Sequence, residues 1–349
     1  RFGFGEFNDT TKGLGFRLRD VNGLFEAGVF MGTSADSLSD NLRNQVVGSV
    51  YNYNSDFVAV APIRRILDTV NQIRYEASFD DRNAARPLGV SVVQTAYDTK
   101  YEADSNFIIM TYAITNNGRR PLNNFRFGFF TDFDISPAGT ADRMVYRTSD
   151  NLAIMFGGTT PRRFMGVFNP NFNIPSNPYG IFNNGPSVAN NIEINDGFTK
   201  AEKWISLNNN ISSAGTDPGE DISMVMNYGP FNLAIGETIT IPVGIVADWN
   251  LAGIQRSTSN ARRSWELVTT AKNKLTTTDV QVYPNPATNQ VKVNLAAEGA
   301  ANLSITDLSG RVLLQTTIAE PTNTLDISGY QTGLYLINIQ QGNKKGTFK

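Results

Sequence analysis

The segment TDFDISPAGTADR, residues 131–143, carries three aspartates: Asp132, Asp134 and Asp142. Carboxylate oxygens at alternate positions suit calcium, which takes roughly six to eight oxygen ligands. The spacing is not that of an EF-hand, because no glycine and glutamate fall at the later positions that such a loop requires. Aspartates in such a segment also cap turns by accepting hydrogen bonds from backbone N–H groups. The segment therefore predicts either a calcium site or a set of structural aspartates.

Other carboxylates give weaker candidates for chemistry. Residues 208–223 contain Asp217, Glu220 and Asp221, a second candidate calcium segment. Neighbouring carboxylates of the kind that a glycoside hydrolase uses occur as Asp80 with Asp81 and as Asp132 with Asp134. Residues i and i+2 of a strand share a face, so the second pair could converge on a substrate. Twelve tyrosines and three tryptophans also suit a sugar-binding face, although aromatic residues in a sandwich usually form its core.

The residue types that are missing exclude several classes of enzyme. The 349-residue chain has no cysteine and no histidine. A Ser-His-Asp or Cys-His triad, a disulfide, and a metal site built on thiolate or imidazole are therefore impossible within it. We accordingly expect no catalytic residues and no cofactor in this chain.

Charge and hydropathy constrain the partners and the location. Lys and Arg number 30 and Asp and Glu number 32, a balance that predicts no nucleic-acid partner. The apolar runs are far shorter than the roughly 18 residues that a membrane-spanning helix needs, so no transmembrane segment is expected. Because the first residue is Arg1, we expect a processed or truncated product.

The residue pattern predicts an all-β protein. Period-two runs bounded by turn residues recur, most clearly in residues 105–135, where Phe125, Phe127 and Phe129 share one face of a strand. Residues 248–268 have the apolar spacing of a helix, with Asp248 or Asn250 as its N-cap. Residues 61–73 form a weaker helix candidate. The expected first domain, residues 1–274, is a large β-sandwich with one or two packed helices.

The last seventy or so residues predict a separate, smaller sandwich. The polar stretch LTTTD, residues 275–279, is the expected linker, and VYPNP follows it at residues 282–286. Proline fixes φ and lacks an N–H, so these prolines cannot lie inside a sheet or a helix. Six or seven short strands then alternate with tight turns. One turn is DLSGR, residues 307–311, in which Gly310 supplies a positive φ.

The segment Val280–Lys349 resembles the type A sorting domain of type IX secretion, a system of the Bacteroidetes. The resemblance is carried by VYPNPATNQVKVNL, LSITDLSGRVLLQ, LDISGYQTGLYLINIQ and NKKGTFK, in that order. Members usually finish with a short hydrophobic and basic strand, whereas this sequence ends in GTFK. The resemblance implies a small Ig-like antiparallel β-sandwich. It also implies that the sorting signal includes Tyr283, Pro284, Asn285, Pro286, Gly310, Gly333, Leu334, Tyr335, Lys344 and Lys345.

The same resemblance implies partners and a location. A Sec signal takes such a protein to the periplasm, where the outer-membrane translocon and its shuttle barrel recognise the folded tail. A sortase commonly removes the tail and attaches the cargo to surface lipopolysaccharide. The protein is then secreted or held at the cell surface.

Residues 1–270 resemble a β-rich module that follows the protease domain in some secreted subtilisin-type (S8) peptidases of the same bacteria. The segments that resemble it are residues 24–43, 87–98, 107–135 and 221–254. No catalytic residue of such a peptidase carries over, and Ser34 in GTSAD is expected to be a turn residue. The prediction is thus a noncatalytic accessory or surface module with an export tail. A carbohydrate-binding or adhesion protein and a carboxylate-based glycoside hydrolase remain the alternatives.

Overall fold

The computed structural model describes residues 17–18, 21–47, 50–68, 72–99, 106–136, 140–157, 163–185, 192–216, 218–272, 275–342 and 344–348. The chain divides into two compact units, Arg1–Arg263 and Ser264–Lys349. Most of the described residues lie in antiparallel strands, and two α-helices occur among them. The expected all-β class is confirmed.

The first unit contains eighteen of the described strands. They are β1 (Arg17–Leu18), β2 (Val21–Asn22), β3 (Glu26–Ser34), β4 (Ser37–Asp40), β5 (Arg43–Val47), β6 (Val50–Tyr53), β7 (Val58–Asp68), β8 (Gln72–Asp80), β9 (Val90–Thr99), β10 (Phe107–Asn116), β11 (Leu122–Asp132), β12 (Asp142–Arg147), β13 (Leu152–Gly157), β14 (Phe164–Phe168), β15 (Ser176–Phe182), β16 (Ser213–Ala214), β17 (Ile222–Leu233) and β18 (Thr238–Asp248). The helices are α1 (Lys200–Asn208) and α2 (Leu251–Lys272), and the boundary between the two units falls within α2.

Two large sheets pack face to face in the first unit. One has nine strands in the order β16-β12-β13-β14-β18-β10-β9-β8-β7, and the other has five in the order β15-β17-β11-β3-β4. The main apolar core contains residues from both sheets, including Tyr112, Phe127 and Tyr228, all fully buried. Phe125, Phe127 and Phe129 do share the core-facing side of β11, as the sequence predicts.

A second apolar cluster lies on the opposite face of the five-stranded sheet. It joins Phe30 and Phe130 of the sheet to Phe198 and to Leu207 of α1. The helix begins with a capping box: Thr199 accepts a hydrogen bond from the Glu202 N–H, and the Glu202 carboxylate accepts one from the Thr199 N–H. Because the sheet is covered on both sides, its central strands are apolar on both faces.

The helix predicted at residues 248–268 is confirmed, whereas the weaker prediction of a helix at 61–73 is wrong. Asn250 precedes α2, and its side chain accepts a hydrogen bond from the Gly253 N–H at 2.8 Å, so Asn250 is the N-cap. Residues 61–68 instead fall in β7 and residues 72–73 in β8. Three irregularities in the register of this hairpin break the strict two-residue alternation that would have revealed the strand.

The second unit is a small sandwich of two antiparallel sheets. Its strands are β19 (Val280–Tyr283), β20 (Gln290–Leu295), β21 (Ala301–Asp307), β22 (Val312–Ile318), β23 (Thr322–Asp326), β24 (Tyr335–Gln341) and β25 (Lys344–Phe348). The sheet orders are β19-β20-β23 and β22-β21-β24-β25. Val293 and Leu303 lie in the core between them. Leu275, at the start of the expected linker, is also buried in this core, so this residue belongs to the second unit.

The capping box of α1 gives a first prediction. Replacing Thr199 by Ala removes the side-chain acceptor for the Glu202 N–H and should lower the free energy of unfolding by about 1 kcal/mol. Thr199→Ser keeps the hydroxyl and should stay within a few tenths of a kcal/mol of the wild type. Chemical denaturation of the three proteins measures both effects. Equal losses in the two variants would contradict the capping role.

Candidate functional site

Several buried acidic residues of the first unit are bound to partners inside the protein. Arg43 is 2% exposed and lies between two carboxylates. Its Nε donates to Glu26 at 2.6 Å and its Nη2 donates to Asp132 at 2.7 Å. Burial raises the pKa of Asp132 to about 7, while the positive charge of Arg43 acts in the opposite direction. Asp132 thus gives the buried guanidinium a hydrogen-bond acceptor beside its ion pair with Glu26.

Helix α1 contributes two lysines to the same region. The Lys203 ammonium, fully buried, donates to Asp40 at 2.7 Å and to the carbonyl oxygen of Arg43 at 2.9 Å. Lys200 donates to Asp56 at 2.8 Å. Burial lowers the pKa of Lys203, and the nearby Asp40 carboxylate opposes that shift. These interactions connect α1 to Asp40 of β4, to Arg43 of β5 and to Asp56.

The aspartates of the predicted calcium segment have different surroundings from one another. Asp142 accepts hydrogen bonds from the N–H groups of Ile135 and Ser136 at 3.1 and 2.8 Å. This is the turn-capping role that the sequence analysis offers as the alternative to calcium binding. Strand β11 ends at Asp132, so Asp134 lies beyond it, and the shared strand face expected for this pair does not apply. Burial raises the pKa of Asp134 and of Asp142.

The second candidate calcium segment lies beside the first. Asp142 and Glu220 exchange two backbone hydrogen bonds, of 2.8 and 3.0 Å. Asp221 accepts hydrogen bonds from Asn183 and Asn184, and Asp217 lies outside the described residues. Within the part of the chain that the structure describes, no group of three or more acidic side chains is arranged to hold a metal ion. Calcium binding here stays a prediction.

The other candidate catalytic pair also has structural partners. Asp80 forms an ion pair with Arg82 at 2.5 Å. Asp81 is buried, and its carboxylate accepts hydrogen bonds from the backbone N–H groups of Leu88, Gly89 and Val90. Ser34 accepts a hydrogen bond from the Ser37 N–H across a turn, as expected of a turn residue.

Sequence reasoning missed Glu26, Arg43 and Lys203. Their partners come from distant segments, so no local spacing reveals them. The one available signal was Glu26 itself, a charged residue within the otherwise apolar stretch LFEAGVFM.

In the second unit, most of the predicted signal residues lie at one end of the sandwich, which we call the turn end. Three connections meet there: residues 284–289 between β19 and β20, residues 308–311 between β21 and β22, and residues 327–334 between β23 and β24. The register fixes this arrangement, because Asp307 of β21 is paired with Tyr335 of β24. The residues placed at this end are Tyr283, Pro284, Asn285, Pro286, Gly310, Gly333, Leu334 and Tyr335.

The hairpin of the turn end is organised by Asp307. Its carboxylate accepts hydrogen bonds from the N–H groups of Ser309 and Arg311 at 2.9 and 3.1 Å. Gly310 has φ +86°, the left-handed conformation that the sequence predicts for it. The tip is thus held in one conformation while Leu308 is 69% exposed.

A pair of tyrosines supports the longest turn. The rings of Tyr330 and Tyr335 are 5.4 Å apart, and the Tyr335 hydroxyl donates to the carbonyl oxygen of Gln331 at 2.6 Å. This arrangement orders the loop that presents Leu334, which is 47% exposed. Tyr283, at the end of β19, is 39% exposed. Apolar side chains are therefore exposed on well-ordered turns.

The two predicted lysines lie at the opposite end of the same sandwich. Lys344 forms an ion pair of 3.3 Å with Asp279, directly before β19. Lys345 is opposite Gln340 of β24, far from the turn end. The ten predicted signal residues thus form two groups.

Comparison with known proteins identifies the tail. Residues 281–349 match the family described as the secretion system C-terminal sorting domain. This tail marks a cargo of type IX secretion, and it implies interaction with that machinery and export to the medium or the cell surface. None of the described helices has the length and hydrophobicity needed to cross a bilayer.

The first unit has no such assignment. No curated protein matches the chain. Among solved structures it is similar to a bacterial glucoamylase complexed with acarbose, at 8% identity and a TM-score of 0.45, over 71% of this chain and 30% of that one. It is also similar to a polysaccharide lyase, at 12% identity and a TM-score of 0.31, over 93% of this chain and 38% of that one. A heparan sulfate lyase from Pedobacter heparinus is similar at 5% identity and a TM-score of 0.29, over 74% of this chain and 28% of that one.

This chain spans less than two fifths of the length of those three structures. Likenesses of this degree assign no function to the first unit. The resemblance of residues 1–270 to the module of S8 peptidases receives no support from the comparisons.

The buried Asp132 predicts a pH dependence. Its pKa is raised from 3.8 to about 7 in the folded chain, so the folded state holds a proton that the unfolded state releases. We expect this group to lower the free energy of unfolding as pH rises from about 4 to about 7, by at most about 1.4 kcal/mol per pH unit. Chemical denaturation across this pH range measures the effect: the free energy of unfolding should fall less steeply with pH for Asp132→Asn than for the wild type. Parallel curves for the two proteins would contradict the assignment.

The hairpin tip gives a prediction for the second unit. Gly310→Ala introduces a Cβ at a positive φ and should destabilise the tail by about 1–2 kcal/mol. Gly310→Asn should cost less, because asparagine tolerates this conformation. The measurement is the unfolding transition of the tail in each variant. A neutral Gly310→Ala would mean that the turn does not require a positive φ.

Proposed function

We propose that this protein is a noncatalytic surface or accessory module that the type IX secretion system exports by its folded tail. The observation that carries the proposal is the turn end of the second unit. Residues from three separate motifs of the sorting-domain resemblance lie together there, on turns held by Asp307 and by the Tyr330–Tyr335 pair.

The proposal includes the steps that the resemblance implies. The outer-membrane translocon and the shuttle barrel recognise the tail, and a sortase removes it and attaches the cargo to lipopolysaccharide. The source is then one of the Bacteroidetes. An Ig-like connection of the seven tail strands belongs to the same proposal.

Three features support a noncatalytic first unit. The chain has no histidine and no cysteine. The Asp132 carboxyl group is bound to Arg43, and the Asp81 carboxylate accepts hydrogen bonds from backbone N–H groups. A glycoside hydrolase needs one carboxyl group that reaches the glycosidic oxygen and a second that faces the sugar. Buried carboxylates already bound to the protein are poorly suited to that work.

Removing the tail tests the proposal. Deleting residues 275–349 should leave the chain in the periplasm of a host that has type IX secretion, because the translocon then has nothing to bind. Immunoblots of periplasm, outer surface and medium measure the distribution. The control is Thr199→Ser in the full chain, which keeps the whole tail and should be exported.

The deletion must also leave the first unit folded. Resistance of the periplasmic product to limited proteolysis checks this point. If the folded, tail-less chain reaches the surface in the amount of the wild type, the proposed function is wrong.

A further inference from the structure

Strand β25 is an edge strand with exposed backbone hydrogen-bonding groups. Among the described strands, it is the last in its sheet and pairs with β24 alone. The Lys345 carbonyl points away from β24, since it accepts a hydrogen bond from the Leu275 N–H at 2.7 Å. Backbone groups alternate between the two sides of a strand, so the N–H and C=O of Thr347 also point to this outer edge. Such an edge can accept another strand.

The segment Leu275–Asp279 covers part of this edge. Leu275 is buried in the core of the second unit. Gly346 makes this possible, because a Cβ there would lie 2.7 Å from the Leu275 Cβ. At the far end of the segment, Asp279 pairs with Lys344, both partly exposed. Among the described residues, one backbone hydrogen bond outside the sheet reaches β25, so the edge is covered but not fully paired.

The covering segment shows what the edge can bind. It supplies a backbone N–H, an apolar side chain beside Gly346 and a carboxylate beside Lys344. Lys345 is exposed next to it and has no ion pair among the residues described. Within the described part of the chain, no backbone hydrogen bond from outside the sheet reaches β22, the strand at its other edge. The edge of β25 therefore fits an extended, acidic peptide with an apolar residue.

We propose that the outer edge of β25 is a docking site for an acidic β-strand of the export machinery, which displaces Leu275–Asp279 and pairs with the strand. Backbone hydrogen bonds would supply affinity, and the two lysines would select the charge of the partner. This inference rests on the proposed export function. It assigns a role to Lys344 and Lys345, which lie away from the turn end.

Thr347 offers a substitution that separates docking from folding. Thr347→Pro removes an N–H that points to the outer edge, and proline is tolerated at such a position of an edge strand. Thr347→Val keeps the N–H. Both variants lose the hydrogen bond from the Thr347 hydroxyl to Asn338, so the comparison between them does not depend on that contact.

We expect Thr347→Pro to reduce the amount of protein at the surface by about tenfold relative to Thr347→Val, which corresponds to about 1.4 kcal/mol of lost binding. Thermal unfolding of both variants should give the same midpoint. Equal export of the two would overturn the docking site. Failure of the wild-type chain to be exported would refute the proposed function instead.

A charge reversal provides the second test if Thr347→Pro does not fold. Lys345 is exposed and has no ion pair among the residues described, so Lys345→Glu should keep the fold while it repels an acidic strand. Lys345→Arg keeps the positive charge and is the matched variant. Lys345→Glu should leave several times less protein at the surface than Lys345→Arg. Equal export of the two variants would overturn the proposal.

Discussion

The first unit depends on the neutralisation of a buried cation. An arginine at Arg43 with almost no exposure to water would be strongly destabilising without partners. Glu26 on β3 forms an ion pair with it, Asp132 at the end of β11 supplies a second hydrogen-bond acceptor, and both lie on the five-stranded sheet. The start of β5 is thereby fixed against neighbouring strands of that sheet. The apolar packing around these groups excludes water and makes the ion pairs necessary.

The same constraint places helix α1. Lys203 is fully buried and donates hydrogen bonds to both Asp40 and the carbonyl oxygen of Arg43, which hold the helix over the sheet. Phe198 and Leu207 then fill the space between helix and sheet. Hydrophobic burial stabilises this layer, while the ion pairs make its position specific. Carboxylates that hold cations in this way are no longer free for a substrate.

Local sequence signals predicted the parts of the fold that local physics determines. The helix at 248–268 follows from its N-cap and apolar spacing, and the hairpin at Gly310 follows from the conformational freedom of glycine. Part of β7 and the start of β8 were predicted as a helix, because register irregularities broke the alternation of these strands. The charge pairs of Arg43 were not predictable, since their partners lie far away in the sequence. The tail residues were identified by resemblance, but their grouping at two ends depends on strand register, which the motifs do not contain.

The grouping of the tail residues at the turn end affects how a receptor can recognise this export signal. Tyr283, Gly310 and Leu334 are far apart along the chain and come to the same end only when both sheets have formed. A receptor that binds this end therefore distinguishes a folded tail from an unfolded one. The contact between Leu275 and β25 adds a second condition, because it ties the first residues of the unit to its last strand. Under the proposed function, recognition would therefore follow folding of the tail, because strand register brings these residues together and the motifs alone do not contain it.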